Sequence, residues 1–446
     1  MSERDFAIDV VRRLRDAGYQ ALWAGGCVRD ELLGRVPKDY DVATDARPEE
    51  VRRLFRRTIA VGMSFGVIEV LGPRTAEGHL KVQVATFRSD VSYSDGRHPD
   101  AVVFSSAQED ALRRDFTING MFFDPLESRL IDYVGGQDDL QAKILRAIGD
   151  PAARFAEDKL RMLRAVRMAT RFELTIEGAT LAAIQEMAPQ ITVVSAERIA
   201  EELRQLLVHP RRAFGINLLH DVGLAAAIMP ELLPMKGLPQ GPPAAPTGDL
   251  WDHVMRVLEL LGPDVSFPLA LATLLHDVGK PRTVGRTPDR YTFYYHEHVG
   301  RRMAEDICLR LKLSNAERER VAWLVEKHQI LCEARQMRPS KLKPLLADEG
   351  IGELLALHRA DALATGRNAD HVDFCEKVLR EGSRVVRDGS GEALQFILPG
   401  HLITGEDLRE LGIKPGPIYK RLLDAVRDAQ LDGTIRTKAE ALELVR

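Results

Sequence analysis

At 446 residues the chain is too long for one ordinary core, so two to four domains are expected. Apolar residues make up 45% and charged residues 29%, the balance of a globular protein, and no apolar run reaches the length of a membrane span. A formal net charge of −4 speaks against a bulk nucleic-acid coat but leaves room for a local basic groove. The start, Met-Ser-Glu-Arg-Asp, is charged, with Phe6, Val10, Val11 and Leu14 forming the apolar stripe of a helix, and does not read as a signal peptide. Cysteines at 27, 308, 332 and 375 form no close-spaced pair, which fits reduced thiols in a cytoplasm.

Residues 1–135 read as α/β. After the first helix come a glycine loop at Gly25-Gly26, a short helix through Leu33 and a strand over Lys38 to Val42. A helix follows from Pro48 to Arg57, then strands at Val67 to Leu71 and Leu80 to Phe87. Adjacent glycines let backbone amides approach a polyphosphate. Alternation along the strand puts Asp39 and Asp41 on one face and Tyr40 on the other. Two carboxylates so close suit Mg²⁺, and with it phosphoryl or nucleotidyl transfer. A lone Asp-X-Asp is as readily an exposed loop. Here Arg29-Asp30 follows the glycines, and a second basic-acidic cluster, Arg113-Arg114-Asp115-Phe116-Thr117-Ile118-Asn119, stands downstream.

Together these motifs resemble the class II nucleotidyltransferases, the family of bacterial CCA-adding enzymes and bacterial poly(A) polymerases. The resemblance implies a polymerase β-like head with a small mixed sheet at 1–135. It implies triphosphate contacts from Gly25 and Gly26, support of that loop by Arg29, and ribose and triphosphate contacts from Arg114, Asp115 and Asn119. Asp39 and Asp41 would hold two Mg²⁺ ions. Thr58 to Gly66 looks more like the CCA-adding branch than the polymerase branch. Arg88 to Pro99 has turn residues and no periodicity; it is either a hairpin connection or the loop that in this family helps switch between CTP and ATP. One departure stands out: Gln83 occupies the place of the family's third acidic residue, across the sheet from the aspartates. An amide supplies no charge and cannot act as a base.

From Gly135-Gly136 the pattern is helical, and 136–235 read as neck and body. Spacing of i and i+3 puts Asp158 and Arg161 on one helix face, with Arg164 continuing the line. An intrahelical ion pair explains this as it stands. The family resemblance supplies another meaning, a protein-borne template. Cytosine and adenine both present an amine donor beside a ring-nitrogen acceptor, which a carboxylate and a guanidinium match, whereas uracil and guanine reverse the order. Ser195 to Leu203 resembles the segment that braces this helix, with Ser195 as N-cap and Arg198 and Glu202 spaced to pair.

A Pro/Gly linker at 236–249 precedes a histidine-rich stretch at 250–375. His253, His276-Asp277 in Leu-Leu-His-Asp-Val-Gly-Lys, His296, His328 and Asp361 resemble the ligand series of the HD phosphohydrolase superfamily. Imidazoles favour Mn²⁺, Fe²⁺, Co²⁺ or Ni²⁺ over Mg²⁺. In that superfamily the domain is either a phosphatase or phosphodiesterase or a scaffold. His298 and His358 read as neighbours. After a Gly-Ser-Gly break at 389–391 the chain returns to helices, and 392–446 resembles the tRNA-gripping tail of the same family, with Lys414, Lys420, Arg421, Arg436 and Lys438 spaced to touch phosphates.

The expected activity is template-independent addition of CMP and AMP from CTP and ATP to the tRNA 3′ end. A CC-adding or A-adding enzyme and a poly(A) polymerase are the near alternatives. A metal phosphohydrolase with a nucleotide-sensing head is the alternative from another class.

Overall fold

The first helix, α1 (Glu3–Asp16), is fixed by a reciprocal cap: the Ser2 hydroxyl accepts the Asp5 N–H and the Asp5 carboxylate accepts the Ser2 N–H. Its stripe of Phe6, Ala7, Val10, Val11 and Leu14 is buried. The structure, a computed structural model, describes residues 1–446 except 63–65, 77, 91–101, 241–247 and 389–390. The expected switching loop at 88–99 falls mostly outside the described residues. So do the centre of the 58–66 stretch and of the 236–249 linker.

The described chain forms two units, Met1–Pro230 and Glu231–Arg446. In the first, α1 is followed by β1 (Ala21–Ala24), α2 (Gly26–Leu32), β2 (Asp41–Thr44), α3 (Pro48–Leu54), β3 (Thr58–Gly62), β4 (Val67–Thr75) and β5 (Gly78–Thr86). A short pair, β6 (Arg88–Asp90) and β7 (Val102–Phe104), leads to α4 (Ala107–Leu112), β8 (Phe122–Asp124) and β9 (Arg129–Ile131). Seven strands make one mixed sheet in the order β3-β4-β5-β2-β1-β8-β9, in which only β2 and β5 run parallel.

Register decides what the sheet presents. Asp41 stands opposite Gln83 and Gln83 opposite Glu69; one residue along, Val42, Val84 and Ile68 stand opposite one another and are buried. Alternation therefore puts the Asp41 row on the other face from that apolar row. The strand is shorter than expected, beginning at Asp41, so Asp39 lies in the connection before it. The reason is local: continuing the β1 register would pair residue 39 with Gly26, which already belongs to α2.

From Gly136 the unit is helical: α5 (Gly136–Gln141), α6 (Pro151–Glu157), α7 (Leu160–Phe172), α8 (Gly178–Met187), α9 (Ala196–Leu207), α10 (Arg212–Asp221) and α11 (Leu224–Ile228). A two-residue parallel pair, β10 (Ile144–Leu145) and β11 (Thr175–Ile176), is woven among them. The expected continuous helix through Asp158 and Arg164 is two helices. Asp158 closes α6 with φ −144° and ψ 105°, and its side chain accepts the Leu160 N–H at 3.0 Å, which opens α7. An aspartate that binds the backbone ahead of it competes with the helix.

The second unit contains α12 (Leu250–Leu260), α13 (Phe267–Leu275), α14 (Lys280–Thr283), the small hairpin β12 (Gly285–Arg286) with β13 (Tyr291–Thr292), α15 (His296–Arg310), α16 (Asn315–Lys327), α17 (Pro339–Leu346), α18 (Ile351–Ala364) and α19 (Asp370–Gly382). The almost wholly apolar α13 packs against α12, α16 and α18. An antiparallel pair, β14 (Ser383–Asp388) and β15 (Gly391–Phe396), flanks the segment read as a break, of which 389–390 lie outside the described residues. The chain then ends in α20 (Gly405–Glu410), α21 (Pro417–Asp432) and α22 (Lys438–Leu444) around Ile403, Leu408, Val426 and Ala441. Among the described residues no helix is long and apolar enough to cross a membrane.

A Cβ at Gly136 would stand 2.2 Å from the Thr117 carbonyl oxygen and 2.8 Å from Met121 Cγ, whereas nothing lies within 4 Å at Gly178. Gly136→Ala is expected to destabilise the first unit by about 1–3 kcal/mol, and Gly178→Ala to leave it unchanged or firmer, both read from urea unfolding midpoints.

Candidate active site and metal centre

Gly25 caps α2 with φ 72°, a conformation that favours glycine, and a Cβ there would sit 2.8 Å from Arg114 Nη1 and push that guanidinium aside. Arg29 on α2 is buried. It donates to Asp30 Oδ1 at 3.0 and 2.7 Å and to Asn119 Oδ1 at 2.5 Å, and its guanidinium lies 4.1 Å from the Phe172 ring centre. Asn119 in turn donates to Asp115 Oδ1 at 3.1 Å, and Arg164 of α7 donates twice to Asp115 Oδ2, at 2.9 and 2.7 Å. Burial alone would raise the Asp115 carboxyl; Arg164, Asn119 and the Phe116 N–H hold it down to about 2. These residues line a cavity of about 450 Å³ together with Gly26, Asp41, Arg113, Arg114, Leu160, Asp158, Arg161, Arg167, Met168, Arg171 and Arg198. Eight arginines and three aspartates thus face one space, a composition suited to a polyanion.

Asp39 and Asp41 form the acidic edge of this region. Neither has an ion-pair partner among the described residues. The Asp41 carboxyl is pushed up to about 6, first by burial and then by the charge of Asp39. A divalent cation relieves both, so the pair fits Mg²⁺. Gln83 stands directly beside Asp41, where the expected third acidic residue belongs, and brings no charge.

Asp158 and Arg161 line the same cavity but do not pair with each other. Asp158 Oδ2 accepts Arg198 at 2.7 Å, and Arg161 donates to Glu157 at 2.6 Å and to the Arg154 carbonyl at 2.9 Å. The expected Arg198–Glu202 pair is likewise replaced: Glu202 accepts Arg167 at 2.6 Å. Both exchanges tie α9 to the start and middle of α7. Ser195 is the N-cap of α9, yet its side chain makes no capping bond. Sequence reasoning missed Asp110, a buried carboxylate that grips Arg113 (2.9 and 2.6 Å) and Arg114 (3.2 and 2.9 Å). Its spacing of three and four residues ahead of the arginines was the available signal. Arg167, Arg171 and Arg198 also line the cavity without having been expected there; their positions depend on tertiary packing.

The second unit brings its six expected ligands together. His276, His296 and His328 each place Nδ1 2.7 Å from the carbonyl three residues back, those of Thr273, Phe293 and Val325. Carbonyls only accept, so Nδ1 carries a proton and Nε2 is the atom turned toward the centre. The three Nε2 atoms converge on Asp277, with His276 Nε2 3.3 Å from Oδ2 and His296 and His328 Nε2 3.2 and 3.5 Å from Oδ1. His253 Nε2 lies 3.4 Å from His276 Nε2 and 3.1 Å from Asp361. Asp277 Oδ1 is buried with no hydrogen-bond donor, and two sets of three ligands, His253–His276–Asp277 and Asp277–His296–His328, are close enough to hold an ion. Opposed lone pairs around a shared carboxylate fit divalent cations. His298 pairs with Glu326 and His358 faces the Lys327 carbonyl, both outside these sets.

In the tail, Lys414, Lys420, Arg421 and Arg436 are exposed, while Lys438 is paired with Asp407, a residue that itself caps α20. All four cysteines are free.

Comparison with known proteins agrees with this layout. Residues 21–146 match the Poly A polymerase head domain, 173–236 the probable RNA and SrmB-binding site of polymerase A, and 250–366 the HD domain. The fold and the two centres therefore define a head of the nucleotide-polymerising type joined to an HD domain. Over about half of its length the chain is similar to CCA-adding enzymes and to a bacterial poly(A) polymerase. It is 41% identical over 221 residues to the CCA-adding enzyme of Geobacillus kaustophilus (49% of this chain, 53% of that protein) and 36% identical over 248 residues to poly(A) polymerase I of Haemophilus influenzae (52% and 53%). The chain thus spans about half the length of these curated relatives. The crystal structure of the Bacillus stearothermophilus CCA-adding enzyme in complex with CTP superposes with a TM-score of 0.71 at 26% identity, covering 100% of this chain and 97% of that one.

Two of the cavity's three carboxylates predict opposite outcomes. Asp115→Ala leaves Arg164 without its partner and is expected to cost about 2–3 kcal/mol, discounted for the partial exposure of Arg164. For Asp41 the folded value of about 6 lies above the ordinary 3.8, so the ionised group costs stability above pH 6, and the cost vanishes below 3.8. Asp41→Asn is expected to stabilise the metal-free protein at pH 7.5 by up to about 3 kcal/mol and to have no effect at pH 3.5. Thermal melts at the two pH values check both.

Proposed function

We propose that the chain adds CMP and AMP, from CTP and ATP, to the 3′ end of tRNA, completing or repairing CCA with release of pyrophosphate. The observation that carries this reading is one arginine-lined cavity that Gly25, Gly26 and Asp41 line together with Asp158 and Arg161. Gly25 and Gly26 admit the triphosphate; Arg114, held by Asp110, and Asn119, held by Arg29, meet its phosphates and ribose. Asp39 and Asp41 would hold Mg²⁺, which when bound polarises the α-phosphate and steadies the charge on the departing pyrophosphate. Asp158 keeps free lone pairs beyond those taken by Leu160 and Arg198, and Arg161 keeps donors beyond those given to Glu157 and Arg154. They accept from and donate to cytosine or adenine and oppose uracil and guanine like to like. Lys414, Lys420, Arg421 and Arg436 contact phosphates of the RNA without reading sequence. Such chemistry on tRNA belongs in the cytoplasm.

A second activity is favoured by the six-ligand centre. His253, His276, Asp277, His296, His328 and Asp361 would hold one or two transition-metal ions, Mn²⁺, Fe²⁺, Co²⁺ or Ni²⁺, for phosphoester hydrolysis.

Three tRNA transcripts, ending before CCA, after C and after CC, are given labelled CTP and ATP with Mg²⁺. Addition to all three that stops at CCA is expected, and Asp41→Asn is expected to lower it by about 10²–10³-fold or more. AMP added only to the CC-ended transcript would mark an A-adding enzyme, unlimited A-tailing a poly(A) polymerase, and no addition would overturn the transferase reading.

A further inference from the structure

The polar row of the sheet extends beyond the aspartates. Asp41 on β2 is in register with Gln83 on β5, and Gln83 with Glu69 on β4. Side chains directly opposite on neighbouring strands share a face with Cβ atoms about 5 Å apart, so the Gln83 amide has a carboxylate-bearing residue on each side. An amide is a dipole, with two donors at one end and an acceptor at the other. A cation held by Asp39 and Asp41 attracts Oε1 and repels the N–H end, which then needs an acceptor on the far side. In this row Glu69 supplies it. The Glu69 side chain is 14% exposed and its ion-pair partner Lys81, at 3.2 Å, is 59% exposed; so open a pair holds its carboxylate only weakly.

We propose that Glu69 is a positioning residue of the transferase site: it accepts the Gln83 amide, turns Oε1 toward the cation at Asp39 and Asp41, and returns from the next strand the negative charge that Gln83 lacks. This rests on the transferase reading above. The sheet has moved its third carboxylate one strand outward and bridged the gap with an amide.

The test compares the parent with Glu69→Gln, Gln83→Glu and the double variant by two measurements. One is the CTP-dependent part of Mn²⁺ uptake, followed by electron paramagnetic resonance without RNA. The other is CMP addition to the transcript ending before CCA. Glu69→Gln is expected to weaken CTP-dependent Mn²⁺ uptake and to slow addition by about 10- to 100-fold, with the KM for CTP little changed. The double variant is expected to recover both, because a carboxylate at 83 faces Asp41 directly. A packing role at 69 would not be rescued from position 83. Glu69→Gln matching the parent in both measurements, or a loss that Gln83→Glu does not restore, would overturn the proposal alone. A parent that adds no nucleotide to any transcript would overturn the transferase reading and the proposal with it.

Discussion

Everything in the first unit's site hangs on one buried carboxylate. Asp115 is reached by the Phe116 N–H, by Asn119 and by both arms of Arg164, and Asn119 is itself held by Arg29 from the glycine-loop helix. A short turn, the loop at Gly25 and helix α7 are thereby joined through a single ionised group. With its pKa near 2, that group stays charged around neutral pH, so there the network is a fixed frame rather than a pH switch.

The frame explains how eight guanidiniums can face one cavity without repelling it open. Nearly every one is tethered to an acid: Arg29 to Asp30, Arg113 and Arg114 to Asp110, Arg161 to Glu157, Arg164 to Asp115, Arg167 to Glu202 and Arg198 to Asp158. Tethered charges keep their direction while a substrate binds and need no reorganisation as charge develops on it, which is where preorganised electrostatics is most effective. Local charge is close to balanced, yet the donors that remain all point into the same space. This is also why a chain with a net charge of −4 can present a basic groove.

How much of this was legible beforehand follows from the range of each interaction. The α/β head, the helical remainder and the HD ligand series were readable because periodicity and motif spacing are local properties of the chain. Asp39 was assigned to a strand that starts two residues later, because the strand's end is set by where its neighbour turns into α2. The helix expected through Asp158 breaks there because an aspartate's local bond to Leu160 outweighed the apolar period. Arg198 and Glu202 match each other at i and i+4, but Arg198 pairs with Asp158 at the end of α6 and Glu202 with Arg167 on α7, 40 and 35 residues away in sequence. Tertiary partners of this kind leave no local signature.

The two candidate cation sites differ in their donor atoms. At the head, oxygen donors stand at the border of an open cavity and leave most of a metal's coordination to phosphate and water, which suits an ion that dehydrates reluctantly. In the HD unit, three imidazoles are oriented by backbone carbonyls three residues back, and the shared Asp277 is kept ionised despite its burial by Lys280, 2.7 Å away, and by His276. The backbone thus decides which atom of each imidazole faces the centre.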